Sequence, residues 1–296
     1  MGAFRAGLVA VVGRPNVGKS SLTNALVGRK CSIVSDKPQT TRRRILGIVN
    51  RPEAQVVLAD TPGIHAPKHR LGAALNATAY RAAEQVDAVM FVVDVSHMPT
   101  KHDKAIAARL AERQEGIPLV LVMNKMDELR AERVEQHYEA FMNLCLPQRE
   151  TMTSAKKKHN VELLLQMLIE TVPEGPALYP TEWSSDQEPQ AWAEEVVREK
   201  ILERTREEVP HAIAVYTEGF EYEGKVARIA LVVVVETQGQ KAIVIGKGGQ
   251  MLKEVGAAAR KELEASFGCK VFMELFVKVA ADWRQSSRQL REFGLE

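Results

Sequence analysis

Cysteine is scarce: Cys31, Cys145 and Cys269 are the only three in 296 residues, far apart and with no Cys-x-x-Cys spacing. The scarcity and the odd total argue against a disulfide framework or a zinc site, and fit reduced thiols in a cytosolic setting. Long apolar runs are also missing. The longest are strand-sized, well short of the roughly 20 residues that span a bilayer. A strand-like run follows the amino terminus almost at once, so no signal peptide is expected. Excess charge is lacking too: 40 Lys+Arg face 38 Asp+Glu. A net +2 is too small to argue nucleic-acid binding, so that claim must rest on local features. What remains is an ordinary globular composition, 45% hydrophobic and 26% charged, in a chain long enough for about two domains.

The strongest motif is Gly13-Arg14-Pro15-Asn16-Val17-Gly18-Lys19-Ser20, which fits G-x-x-x-x-G-K-[ST]. Leu8 to Val12 before it reads as a strand, and Ser20 to Val27 after it reads as a helix closed by Gly28. That order matters chemically. Backbone N–H groups of the loop and of the first helical turn, with Ser20 and Ser21, then point at phosphate oxygens. Lys19 is expected to reach the β- and γ-phosphates, and Ser20 to give its hydroxyl oxygen to Mg²⁺.

Downstream, Ser32 to Asn50 holds Pro38-Gln39-Thr40-Thr41-Arg42-Arg43-Arg44, a polar loop leading into a short strand at Ile45 to Val49. In a nucleotide switch one of the two threonines closes over Mg²⁺ and the γ-phosphate. A Thr-Thr pair alone is usually a capping or solvated pair, and three arginines are more often a solvated face than a ligand site. Val56 to Ala59 reads as a buried strand ending in Asp60-Thr61-Pro62-Gly63. Asp60, at the carboxyl end of a strand, is placed to hold Mg²⁺ through water, and Gly63 to let its N–H approach the γ-phosphate. The alternative is an Asp-Pro-Gly turn. His65 to Asn76, polar and basic, suits a second mobile segment.

Ala88 to Asp94 and Leu119 to Met123 are continuous apolar runs, as strands covered on both faces require. The second enters Asn124-Lys125-Met126-Asp127. A carboxylate at Asp127 can accept from N1–H and the 2-amino group of guanine; adenine offers neither donor and would leave the charge unpaired. Asn124 is expected at the other edge of the base and the Lys125 stem along its face. A short strand from Glu150 to Thr153 leads to Ser154-Ala155-Lys156, whose N–H groups suit the guanine O6. Val161 to Thr171 then has a helical stripe.

Pro173 to Pro189, rich in Pro, Ser and acidic residues, reads as a linker between a domain over 1–172 and another over 190–296. Gln190 to Glu207 reads as a helix stopped by Pro210. Strands are expected at Ile213 to Phe220 and Ala227 to Thr237, with a helix from Gln250 to about Phe267. Lys270 to Val279 alternates like an antiparallel strand, and Asp282 to Phe293 reads as a closing helix. Periodicity alone extends a strand through Ile243 to Ile245. Gly246-Lys247-Gly248-Gly249 is either a plain turn or a loop that lets the backbone clamp single-stranded RNA.

The four strand-end motifs, in this order, resemble the P-loop GTPases of the translation-factor class. The second half, ordered α-β-β-α-α-β, resembles a bacterial type II KH domain with Gly246 to Gly249 as its G-x-x-G loop, which implies a short helix over Ile243 to Ile245. Together with Gln39-Thr40-Thr41-Arg42, Asp60 to His65, Arg198-Glu199-Lys200, Glu207-Glu208-Val209-Pro210-His211, Val277-Lys278-Val279, Trp283-Arg284 and Leu290-Arg291, nearly the whole chain is similar to the Era-like family of ribosome-assembly GTPases. Phe276 and Leu295 stand where that family usually has tryptophan and tyrosine. The resemblance implies an α/β P-loop domain followed by an α+β KH domain. It also implies GTP/GDP and Mg²⁺ as ligands, with Lys19, Thr41, Asp60 and Gly63 as the catalytic set and Thr41 as the Mg²⁺ ligand of the pair. Implied partners are 16S rRNA near its 3′ end and the 30S subunit, gripped by Ile245, Gly246, Lys247, Gly248, Gly249, Lys253 and Arg260. A cytoplasmic monomer is expected, with peripheral attachment to the inner membrane face left open. Ile64 stands where many small GTPases carry a water-positioning glutamine, and Asn16 suggests by analogy a K⁺ ion in compensation.

Overall fold

The computed structural model describes residues 3–37, 39–64, 67, 69–112 and 116–295. Two compact units divide the chain. Met1–Val34, Thr41–Lys68 and Gly72–Asp186 make the first; Ser35–Thr40, His69–Leu71 and Gln187–Glu296 make the second. Among the described residues no helix is long and apolar enough to cross a membrane.

The first unit is built on a six-stranded sheet ordered β2-β3-β1-β4-β5-β6. Its strands are β1 (Arg5–Val12), β2 (Ile45–Arg51), β3 (Ala54–Asp60), β4 (Ala88–Asp94), β5 (Leu119–Asn124) and β6 (Arg149–Met152). All neighbours pair in parallel except β2 with β3. The apolar runs are continuous because both faces are covered. On one face, α1 (Lys19–Val27) and α5 (Val161–Thr171) lay Leu22, Leu26, Leu164 and Leu168 over Val9, Val11 and Leu58. On the other, Ala10, Phe91 and Val93 meet Ala79 of α2 (Arg70–Ala82), Ile106 and Leu110 of α3 (Lys101–Ala111) and Phe141 of α4 (Val134–Met142).

The stretch expected as a linker is ordered as far as Asp186, so the first unit extends beyond residue 172. Its irregular backbone lies along β2, an otherwise open edge. Ile48 N–H donates to Ser184 O at 2.9 Å, and Leu46 N–H donates to Asp186 Oδ1 at 2.9 Å. Gln55, fully buried, anchors the strap by accepting from Leu178 N–H (2.7 Å) and Tyr179 N–H (2.9 Å). Pairing an edge in this way removes a site for unwanted strand addition.

The second unit carries α6 (Pro189–Arg204), α7 (Val209–Ala212), β7 (Ala214–Glu223), β8 (Val226–Val235), α8 (Gln238–Ile245), α9 (Gln250–Phe267), β9 (Lys270–Val279) and α10 (Ser287–Glu292). Four expectations need correction here. β9 pairs parallel with β8, not antiparallel. Its alternation reports one solvated face, and an edge strand shows that whichever way its neighbour runs. Ile243 to Ile245 belong to α8, as the resemblance implies and against the strand that periodicity alone extends; its start is fixed by a capping box between Thr237 and Gln240. α6 ends at Arg204 rather than at Glu207, and Pro210 sits within the first turn of α7, where its missing N–H costs nothing. Asp282 to Phe293 is not one helix: a 3₁₀ turn over Trp283–Gln285 is interrupted at Ser286 before α10. Trp283 is fully buried, donating to Ala212 O at 2.9 Å, which fixes that turn.

Candidate nucleotide site and nucleic-acid interface

The carboxyl ends of β1, β3, β4, β5 and β6 lie side by side, so their following loops converge on one edge of the sheet. The first is the phosphate loop. Asn16 and Gly18 take φ of 63° and 97°, turning successive N–H groups towards one concavity before α1 begins at Lys19. Glycine is required twice by packing. A Cβ on Gly13 would overlap the Val92 carbonyl, and one on Gly18 would overlap the Asn124 amide. Lys19 is buried, and Nζ donates to the carbonyls of Gly13 and Arg14, both at 3.1 Å. Burial takes its pKa down to about 8 against the pull of Asp60, with Arg14 adding to the depression. An ammonium held out of water beside carbonyls is poised for an anion.

Asp60 closes β3 fully buried. Burial pushes its carboxyl above the ordinary aspartate range; Ser20, Lys19 and Ser32 nearby act the other way. Neither carboxylate oxygen makes a hydrogen bond of good geometry. The Ser20 and Thr41 hydroxyls stand 2.8 Å apart, whereas the Thr40 hydroxyl is spent on Lys37 O at 2.7 Å. Buried oxygens without hydrogens of their own to meet, beside two paired hydroxyls, suit a hard divalent cation. The donor set therefore fits Mg²⁺.

Gly63 lies against the phosphate loop, where a Cβ would come within 2.7 Å of Pro15 Cα. Ile64 N–H donates to Gly13 O at 3.2 Å. The Ile64 side chain, 6% exposed, packs into the core with Ala79 and Ala83. It is a packing residue and has no polar group to offer a water. The second expected mobile segment is helical from Arg70 as α2, while His65 lies outside the described residues.

Asn124 ends β5 and braces three loops. Its Nδ2 donates to Val17 O (2.8 Å), and its Oδ1 accepts from Ala155 N–H (3.1 Å) and Thr153 Oγ1 (3.3 Å). Ser154 N–H is likewise engaged, by His159 O at 3.2 Å. Two of the N–H groups expected at the guanine O6 thus hold the loop together; Lys156 follows them in the same turn. Lys125 takes a left-handed backbone (φ 65°), after which Asp127 sits exposed in a 3₁₀ turn with its carboxylate open to a ligand. Sequence reasoning missed Asp94, at the end of β4. Its carboxylate takes the Lys125 ammonium at 2.7 Å and lies 3.6 Å from the Arg14 guanidinium. Its place at a strand end was the available signal.

In the second unit the glycine loop joins α8 to α9. Gly246 (φ 75°, ψ 173°) must be glycine, since a Cβ would meet Met251 Cβ at 2.6 Å. Gly248 and Gly249 have left-handed φ and open space around them. Ile245 precedes the loop, and Lys247 is exposed on it. Beside it runs a groove of about 380 Å³ whose lining includes Leu252, Lys253, Gly256, Arg260, Met273 and Leu275. The apolar floor was not read from the sequence. Its α9 positions, 252, 253, 256, 257 and 260, follow helical spacing and could have been found. Small Gly256 keeps the groove open; a Cβ there would touch Leu275 at 3.4 Å.

A family described as 50S ribosome-binding GTPase matches residues 8–125, and the KH domain family matches residues 208–284. The GTPase Era of Heliobacterium modesticaldum is 42% identical over 100% of this chain and 99% of its own. A crystal structure of an Aquifex aeolicus Era variant bound to GDP and AlF₄⁻ superposes with a TM-score of 0.94 at 37% identity, covering 99% of both chains. A structure of Era with MgGDPNP and nucleotides 1506–1542 of 16S ribosomal RNA matches equally, with a TM-score of 0.94 and 37% identity over 99% of both chains. The chain belongs to the GTPase Era family, an enzyme family that joins a P-loop GTPase domain to a KH domain.

Proposed function

We propose that the chain is a GTP-hydrolysing switch that grips single-stranded 16S rRNA near its 3′ end and assists 30S subunit maturation in the cytoplasm. One observation carries this reading. A phosphate loop, an orphaned buried carboxylate and a guanine-type carboxylate share one sheet edge, in a chain that also presents an open glycine loop beside an apolar groove.

In this reading Gly13 to Ser21 wrap the phosphates, and Lys19 exchanges its two carbonyl partners for phosphate oxygens. Ser20 and Thr41 hold Mg²⁺ directly, with Asp60 behind them through water. The ion, when bound, neutralises charge growing on the phosphates during transfer. Thr41 takes this role over Thr40 because its hydroxyl already lies against Ser20. The Gly63 N–H meets the γ-phosphate. Asn124 frames the guanine, Lys125 lies along its face, Asp127 accepts from its N1–H and 2-amino groups, and the turn Ser154 to Lys156 closes over O6, the Ser154 and Ala155 N–H groups giving up His159 O and Asn124 Oδ1 to reach it. Ile64 is committed to the core, so water is not oriented from there. Asn16, exposed at the loop tip, is assigned a K⁺ that substitutes for the missing donor; hydrolysis is then several-fold faster in K⁺ than in Na⁺, and equal rates refute the assignment.

On the RNA side, the Ile245 to Gly249 segment lies against the ribose-phosphate backbone. Lys247, Lys253 and Arg260 neutralise phosphates while the apolar floor receives bases. Crosslinking in cells tests the reading. The native chain crosslinks to the 3′ end of 16S rRNA, and Gly248→Asp loses the crosslinks while still binding GTP. Crosslinks that persist in the variant, or that map to other RNAs, overturn it.

A further inference from the structure

Four charged side chains sit between the phosphate loop and the guanine loop, and none of them has been given the role of touching a reacting atom. Asp94, at the end of β4, is 4% exposed. Its Oδ2 takes Lys125 Nζ at 2.7 Å and faces Arg14 Nη2 at 3.6 Å. Its Oδ1 accepts from Ser96 Oγ (2.5 Å) and Ser96 N–H (3.1 Å), with His97 Nδ1 at 3.8 Å. Arg14 Nε is paired in turn with Asp103 Oδ1 at 3.3 Å. Asp103, 1% exposed, is locked by the capping box that starts α3. Two carboxylates therefore balance two cations, so the cluster is neutral although largely out of water.

We infer that Asp94 is a positioning residue that couples guanine recognition to the phosphate grip by tethering Lys125 and Arg14 to one carboxylate. On the base side, Lys125 holds a left-handed backbone that a residue with a Cβ adopts only at some cost. Its stem runs from that fixed point to an ammonium fixed by Asp94, so its path along the base plane is set before nucleotide arrives. On the phosphate side, the Arg14 carbonyl is one of the two that hold Lys19, and its guanidinium is pinned between Asp94 and Asp103. Neither loop can shift without disturbing the same carboxylate. Burial alone would raise the Asp94 pKa; the Lys125 and Ser96 hydrogen bonds and the Lys125 and Arg14 charges take it below the ordinary value, as a working anchor requires.

The inference rests on the guanine-nucleotide reading, and the full-length chain with a fluorescent GDP separates the two. If the native protein does not bind GDP, that reading fails first. Given binding, Asp94→Asn keeps the shape and removes the charge. It speeds GDP release by about tenfold and raises KM for GTP in proportion, while kcat falls by less than about twofold. In a Lys125→Met background the same change adds less than about twofold, because its main route is already cut. Asp103→Asn, which meets Arg14 but not Lys125, lowers the melting temperature with a smaller effect on release. Should Asp94→Asn fold poorly, Arg14→Met and Lys125→Met are combined with Asp94 intact; their joint effect on release falls at least about threefold short of the product of the single effects. Multiplicative effects, or release unchanged in Asp94→Asn, overturn the inference.

Discussion

The two ligand sites are built on opposite physical plans. Around the nucleotide loops three polar side chains are buried and engaged: Lys19 on two carbonyls, Asn124 on three loops, Asp94 between two cations. In the KH unit the glycine loop has open space around Gly248 and Gly249, and Lys247, Lys253 and Arg260 are exposed. A triphosphate offers few atoms, so its affinity must come from dipoles fixed in advance. An RNA strand offers many phosphates, so modest exposed contacts can add up. It follows that binding at the first site depends on groups positioned before the ligand arrives, and at the second on contacts summed along a strand.

The largest expected effect breaks the first half of that comparison. Lys19→Met should weaken GDP binding by about 100-fold or more through loss of charge-assisted bonds to phosphate. The nucleotide-free protein should melt no lower, because the ammonium is held against a desolvation cost that takes its pKa to about 8. Thermal melts with and without GDP measure both. Next comes Asp127→Asn, which exchanges an acceptor for a donor at the exposed carboxylate. The ratio of GDP to XDP affinity should fall by roughly 100-fold, since each base then meets or loses its complementary group. An unchanged ratio would mean the guanine loop has been wrongly assigned.

A pair of glycine substitutions sharpens the second half. Gly248→Asp adds a side chain into open space at φ 60°, a conformation aspartate tolerates, so the melting temperature should move little. RNA affinity should fall by about tenfold from bulk and like charge. Gly246→Ala, two residues away, meets Met251 at 2.6 Å and needs a glycine-only backbone. It should destabilise the unit by about 2 kcal/mol. Filter binding together with melts of the two variants would separate a clamp from a scaffold. Equal destabilisation by both would mean that Gly248 is scaffold rather than clamp.

Much of the nucleotide site was legible in the sequence because phosphate chemistry dictates residue type and spacing. Only glycine lets the loop backs of residues 13 and 18 press on Val92 and Asn124, and only a strand end can present Asp60 and Asn124 together. The role of Ile64 was half visible: its lack of a polar group could be read, but not its burial in the core. Asp94 escaped because its strand-end place was the one local signal, while its partners lie far off at positions 14 and 125. The KH sheet was harder. The alternation in Lys270–Val279 gave the exposed face but not the direction of pairing, which depends on the crossover through α8 and α9. The strap along β2 showed only as composition, because an irregular backbone satisfied by Gln55 and β2 has no periodicity to detect.

The proposed function, a switch, requires that the nucleotide held at the first site govern the RNA grip of the second. Titrating the full-length protein with a labelled oligonucleotide of the 16S rRNA 3′ end, once with GDP and once with a non-hydrolysable GTP analogue, tests it directly. The account predicts several-fold tighter RNA binding with the analogue; equal affinity in the two states would contradict it.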